Sequence, residues 1–173
     1  MPSIEGNRRK EKVKTVSLSF ADGSPFFVSK KSAKIAALIE RHRGQHLSPY
    51  YLGYFELFNA QLFYESHDVL EELWLANRQG ANGDFYKGLI QLAGAFVHLQ
   101  KHTEERPRLR PSAALFKLAQ KNLEKYPAVC EQLDLGNLLR LIQVWLARLE
   151  AVGYEKNPLT NGNVPQIFLI RQG

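Results

Sequence analysis

The sequence predicts a mainly α protein: an antiparallel bundle of about six helices, with a minor N-terminal β-hairpin that a C-terminal strand can join. Three observations predict it. Apolar residues recur three and four apart through most of the chain, which is the helical period. The breaks between these stretches are short, and short connections favour antiparallel neighbours. Period-two alternation is confined to a run near the start and a run near the end.

Residues 1–11 read as a polar arm, and 12–28 as the hairpin. Val16, Leu18 and Phe20 alternate with Ser17 and Ser19, Ala21-Asp22-Gly23-Ser24 is turn chemistry, and Pro25-Phe26-Phe27-Val28 returns. Ser29 or Ser32 caps a helix with Ile35, Leu38 and Ile39, which stops before Gly44. The main bundle then runs from 48 to 152. Ser48-Pro49 starts a helix through Tyr51, Phe55 and Phe58, because proline fits a first turn whose N–H has no partner anyway. Tyr50 and Tyr54 share an adjacent face of that helix, exposed or dimer-facing. A helix from about Gln61 to Asn77 follows, and Asp84 caps the next. Thr103 to Arg110 is a charged linker, and Pro111 opens a helix that Pro127 stops. Asp134 caps the last helix, and Gly153 ends it. Residues 153–173 form an irregular tail, whose run Val164 to Ile170 can add the third strand, with Pro165 near an edge.

The chain of 173 residues is read as one domain, with 45% hydrophobic and 23% charged residues, ordinary for a globular protein. The single cysteine, Cys130, excludes an internal disulfide framework and a Cys-rich zinc site. No stretch approaches the roughly 18 uninterrupted apolar residues of a membrane span. No secretory signal is visible, so no membrane partner is expected and the cytoplasm is the default location. The net charge of +6 allows nucleic acid as a partner without favouring it. The basic clusters, Arg8 to Lys14 and Lys101 to Arg110, are each interrupted by Glu. A homo-oligomer is equally allowed.

The polar centre lies on two helices. In FNAQLFYESHDVLEELW, residues 58–74, helical spacing aligns His67, Glu71 and Trp74, with Tyr64 a turn earlier. Glu65, Asp68 and Glu72 gather on the wet side. In the helix 85–102, Phe85, Leu89, Leu92, Ala93 and Phe96 form an apolar face, and Gly88, Gln91, Ala95, His98 and His102 a small, polar stripe. That stripe is expected to face His67 and Glu71, since small residues let backbones approach and a buried carboxylate needs a partner.

At these residues the chain resembles a prokaryotic helical family, domain of unknown function 309. The resemblance rests on Phe58-Asn59, then Tyr64-Glu65-Ser66-His67-Asp68-Val69-Leu70-Glu71-Glu72-Leu73-Trp74, then Gly88-Leu89-Ile90-Gln91-Leu92-Ala93 and His98. It covers about 50–125. Ser66 stands where the family usually has Ala, and Asp68 where it usually has Glu. The resemblance implies an all-α bundle for the central part, and no activity.

Four readings of the centre follow from its chemistry. One is a buried network in which Glu71 accepts from His67, Gln91, His98 or the Trp74 indole while Asn59 caps the motif helix or closes the turn before it. Another is a small-ligand pocket, with Phe63, Tyr64, Trp74 and Phe96 as walls. The third is a divalent metal held by His67, Glu71 and His98, with Gln91 or Tyr64 behind them, supporting hydrolysis at an open position. The last is a nucleic-acid or protein interaction module using the basic surface. There is no Gly-rich phosphate loop and no Ser-His-Asp elbow, so the sequence identifies neither an enzyme nor catalytic residues.

Overall fold

A computed structural model describes residues 16–18, 26–28 and 30–170. The chain divides into two compact units, Met1–Ala37 and Leu38–Gly173. In the first, β1 (Val16–Leu18) pairs antiparallel with β2 (Phe26–Val28), Val16 opposite Val28. The expected arm and the expected turn Ala21 to Ser24 lie outside the described residues. The helix α1 (Lys30–Arg41) follows and enters the second unit.

The second unit holds α2 (Pro49–Asn59), α3 (Phe63–Asn77), α4 (Gly83–Gln100), α5 (Leu109–Leu123) and α6 (Leu135–Ala151). With α1 these make six helices among the described residues. Helix α3 packs on α2 and α4, α4 packs on α5, and α5 on α6. None of the described helices is long and apolar enough to cross a membrane.

The starts follow local chemistry with some shifts. Asp134 caps α6 as expected, accepting from the Asn137 N–H at 2.9 Å. Pro49 occupies the first turn of α2, but the Ser48 side chain makes no cap bond. Asp84 lies inside the first turn of α4, and its N-cap residue is Asn82. Helix α5 begins at Leu109, before Pro111, which still sits in the first turn where a missing N–H costs nothing. Gly153 stops α6 at a φ of 58°, in the left-handed region glycine tolerates.

An aromatic chain joins the helices. Phe96 on α4 lies 5.0 Å from Phe63, 5.2 Å from Phe116 and 5.1 Å from Trp145, ring centre to ring centre. Phe58 on α2 meets Phe63 at 4.8 Å. Tyr54, expected exposed or dimer-facing, is fully buried and donates to the Leu89 carbonyl at 2.8 Å. Helix α2 buries residues on nearly every side, so a helical stripe does not identify its outer face.

The small antiparallel hairpin of the helical unit lies towards its C-terminal part. Strands β3 (Val129–Cys130) and β4 (Leu133–Asp134) pair across Glu131 and Gln132, at φ 47° and 60°. The Tyr51 hydroxyl donates to the Glu131 carbonyl at 3.0 Å and the Ile170 N–H to the Gln132 carbonyl at 2.7 Å, which hold the strained turn. The run Val164 to Ile170 is not a strand, contrary to expectation. It is held instead by a side chain: Asn59 donates to the Ile167 carbonyl at 2.9 Å and accepts from its N–H at 2.8 Å. Asn59 thus ties down the tail, where a helix cap or the closure of a turn was expected.

Candidate functional site

Helix α3 turns Phe63, Ser66, Val69 and Leu70 inward. Ser66 is fully buried, and its hydroxyl donates to the Tyr54 carbonyl at 3.1 Å, which satisfies a group that alanine would not introduce. His67, Glu71 and Trp74 fall on the flank of this face, half-buried, as the spacing indicated.

One ligand atom from each of His67, Asp68 and Glu71 lies within 4.8 Å of the others. The geometry is that of one helical turn. At about 100° per residue, Glu71 projects ~40° from His67 and ~60° from Asp68, so it closes a compact triangle with both. His67 Nδ1 is 3.3 Å from Asp68 Oδ1, with the two side chains 32% and 29% exposed. The Tyr64 ring stacks on the imidazole at 6.4 Å and 15°, and Lys101 Nζ sits 4.6 Å above the Tyr64 ring centre. Asp68 is the member that sequence reasoning missed. Its angular position put it on the wet side, yet its carboxylate stands 3.3 Å from the imidazole.

The small, polar stripe of α4 faces α5, not α3. A Cβ on Gly88 would lie 2.7 Å from Leu123 Cγ, and one on Gly94 would lie 3.2 Å from Leu115 Cδ1. Gln91 accepts from Asn122 at 2.8 Å. The Ser112 hydroxyl donates to the Ala95 carbonyl at 2.9 Å, and the Arg108 N–H to His102 Nδ1 at 3.0 Å. Close approach and a polar middle are both present, but Gln91 and His98 are not brought to His67 and Glu71. His98 is therefore not the third member of the cluster. The physical reason is angular: the Phe85, Leu89 and Phe96 face holds the centre of the bundle, leaving the small stripe for the adjacent helix.

His98 has its own electrostatics. Burial lowers its pKa below the usual imidazole value, and the charges of Arg108 and Lys101 lower it further. Phe63 and Phe96, expected as pocket walls, are fully buried against each other at 5.0 Å. They belong to the core.

No curated protein and no solved structure matches the chain. A family model does match residues 51–106. That span runs from the first turn of α2 through α3 and α4 into the linker, and it holds Asn59, Tyr64, His67, Glu71, Trp74, Gln91 and His98. Helix α5, the other half of the close-packed seam, lies beyond it. Residues 51–106 of this chain are a DUF309 domain, a domain of unknown function.

Proposed function

We propose that the domain binds one divalent cation through His67, Asp68 and Glu71. The convergence of their three ligand atoms within 4.8 Å supports the reading. Donors ~2.0–2.2 Å from a shared ion stand at most ~4.4 Å apart, so a few tenths of an ångström of side-chain rotation closes the site. One imidazole and two carboxylates suit zinc, manganese or ferrous iron better than a soft, thiolate-bound ion. His67 Nδ1 already lies 3.3 Å from Asp68 Oδ1, a separation that two donors to one ion can have, so Nδ1 is the ring nitrogen that would meet the ion. Tyr64 stacked on the ring restricts its rotation.

All three donors come from a little over one turn of α3, so one side of the ion stays open to water. A closed structural site would use four protein ligands; an open position is the mark of a catalytic one. The chemistry such an ion supplies is a water acidic enough to act as a nucleophile near neutral pH, which makes hydrolysis the reaction class proposed. Thermal unfolding tests the binding, with ZnCl2 or MnCl2 against excess chelator. An ion at about 100 times its dissociation constant stabilises by ~2.7 kcal/mol. For a chain of this length that is a rise of roughly 5–10 °C. Glu71→Gln and His67→Ala should lose the rise. Identical melting with metal and with chelator would refute the proposal.

A further inference from the structure

We infer that the corner between the end of α4 and the start of α5 is a binding site for a phosphate group, held by His98 and Arg108. Two buried side-chain nitrogens among the described residues lack a hydrogen-bond partner, His98 Nδ1 and Arg108 Nε. Both are here. A buried polar atom left unpaired costs ~1–3 kcal/mol, and the great majority in folded proteins are paired. Two at one corner therefore point to a shared partner.

Their placement is fixed from the backbone. His98 and His102 lie one turn apart on α4, and His102 Nδ1 accepts from the Arg108 N–H at 3.0 Å. That bond seats the residue preceding α5 beside the C-terminal turn of α4. The Arg108 guanidinium is the charge that acts most strongly on His98, followed by Lys101.

The chemistry selects an anion. Arg108 Nε–H can only donate, and His98 donates in its Nδ1–H tautomer. Arg108 and Lys101 form no ion pair with a carboxylate among the described residues. A cation would be repelled, and an uncharged ligand would leave the positive field uncompensated. A tetrahedral oxyanion accepts from both nitrogens at once, and arginine matches phosphate geometry better than a point charge does. This site is independent of the proposed cation site. Lys101 approaches both, because it also covers Tyr64, so it stays unchanged in the test.

The test is an NMR titration of the full chain in chelator, following the His98 ring and the Arg108 Nε–H. The probes are inorganic phosphate and glycerol phosphate, against chloride at matched ionic strength. The expected result is saturable movement of both signals, with the dissociation constant raised at least tenfold in Arg108→Gln. Arg148→Gln, on α6 over the Trp145 ring, should leave it unchanged. Should Arg108→Gln fold poorly, His98→Gln reads the same loss through the Arg108 signal. Tighter response to glycerol phosphate than to free phosphate would assign the site to an ester, and the reverse to the free ion; either supports the inference. No response beyond that to chloride overturns it, as does an equal response in both Arg108→Gln and Arg148→Gln. A response to a single-stranded oligonucleotide with none to either small probe also overturns it, in favour of a nucleic-acid surface.

Discussion

Gly88→Ala is the substitution that reads the α4–α5 seam most sharply. A methyl group there would stand 2.7 Å from Leu123 Cγ, 2.9 Å from Leu123 Cδ2 and 3.3 Å from the Ala119 carbonyl oxygen. Comfortable carbon–carbon contact is ~3.5–4.0 Å, so the overlap approaches an ångström. Leu123 is fully buried, and Cγ is too near the root of the side chain to swing clear. Overpacking of this kind costs ~1–3 kcal/mol. Replacing glycine inside a helix offsets ~0.8–1.0 kcal/mol of that. The net expectation is a loss of ~1–2 kcal/mol, taking the overpacking cost from the middle and upper part of its range. At 2–4 °C per kcal/mol for a chain this long, melting falls by roughly 2–8 °C. Gly94→Ala is the internal control. Its methyl group meets the outer Cδ1 of half-buried Leu115 at 3.2 Å, a contact that a small rotation relieves. It should match the parent protein or exceed it by up to ~1 kcal/mol. Urea denaturation of both variants compares them directly. A Gly88→Ala protein as stable as the parent, or a Gly94→Ala protein that is the weaker of the two, would show that α5 does not lie where the seam places it.

Other outcomes follow from single contacts. Asn59→Ala removes both hydrogen bonds to the Ile167 backbone. It should cost ~1–3 kcal/mol at ~0.5–1.5 per bond, and the Ile167 amide should exchange with deuterium far faster. Ser66→Ala, which removes both the hydroxyl and its bond to Tyr54, should change stability by less than ~1 kcal/mol in either direction, measured by the same denaturation. His98 has a lowered folded-state pKa, so it binds fewer protons folded than unfolded. Its contribution is complete above the unfolded value near 6.5 and is lost as pH falls through the lower folded value. His98→Gln should flatten that part of the pH–stability curve, read in phosphate-free buffer. Burial, then the charge of Glu131, pushes the Cys130 thiol up. Thiol reagent at pH 8 should therefore modify it more slowly than a free cysteine, and Glu131→Gln should speed the reaction.

Much of the fold was legible because its signals are local. The Asp134 cap and the Gly153 stop are each a few residues of chemistry, and the Pro49 start needs no tertiary contact. What was not legible depends on partners distant in the chain. Periodicity marked the stripe of Gly88, Gln91, Ala95 and His98, but a stripe does not say which helix it meets; Leu123 and Asn122 decide that. Asn59 meets a backbone far along the sequence, and nothing near it announces the contact. The β3–β4 turn puts Glu131 and Gln132 in left-handed conformations, where Asn-Gly would have been the signal. Tertiary bonds from Tyr51 and Ile170 hold what local preference does not. At the site, His67 and Glu71 were visible as a four-residue spacing. Asp68 was read as solvent-facing because adjacent residues on a helix diverge by about 100°, and its short reach to the imidazole is a side-chain effect that no wheel displays.

The cation site is tested most directly by metal titration of the chelator-stripped protein, followed by elemental analysis after desalting. One zinc or manganese retained per chain, falling to background in Glu71→Gln and in Asp68→Asn but kept in His98→Gln, is the result expected. Retention that survives loss of Glu71 and Asp68, or retention that depends on His98, would contradict the assignment.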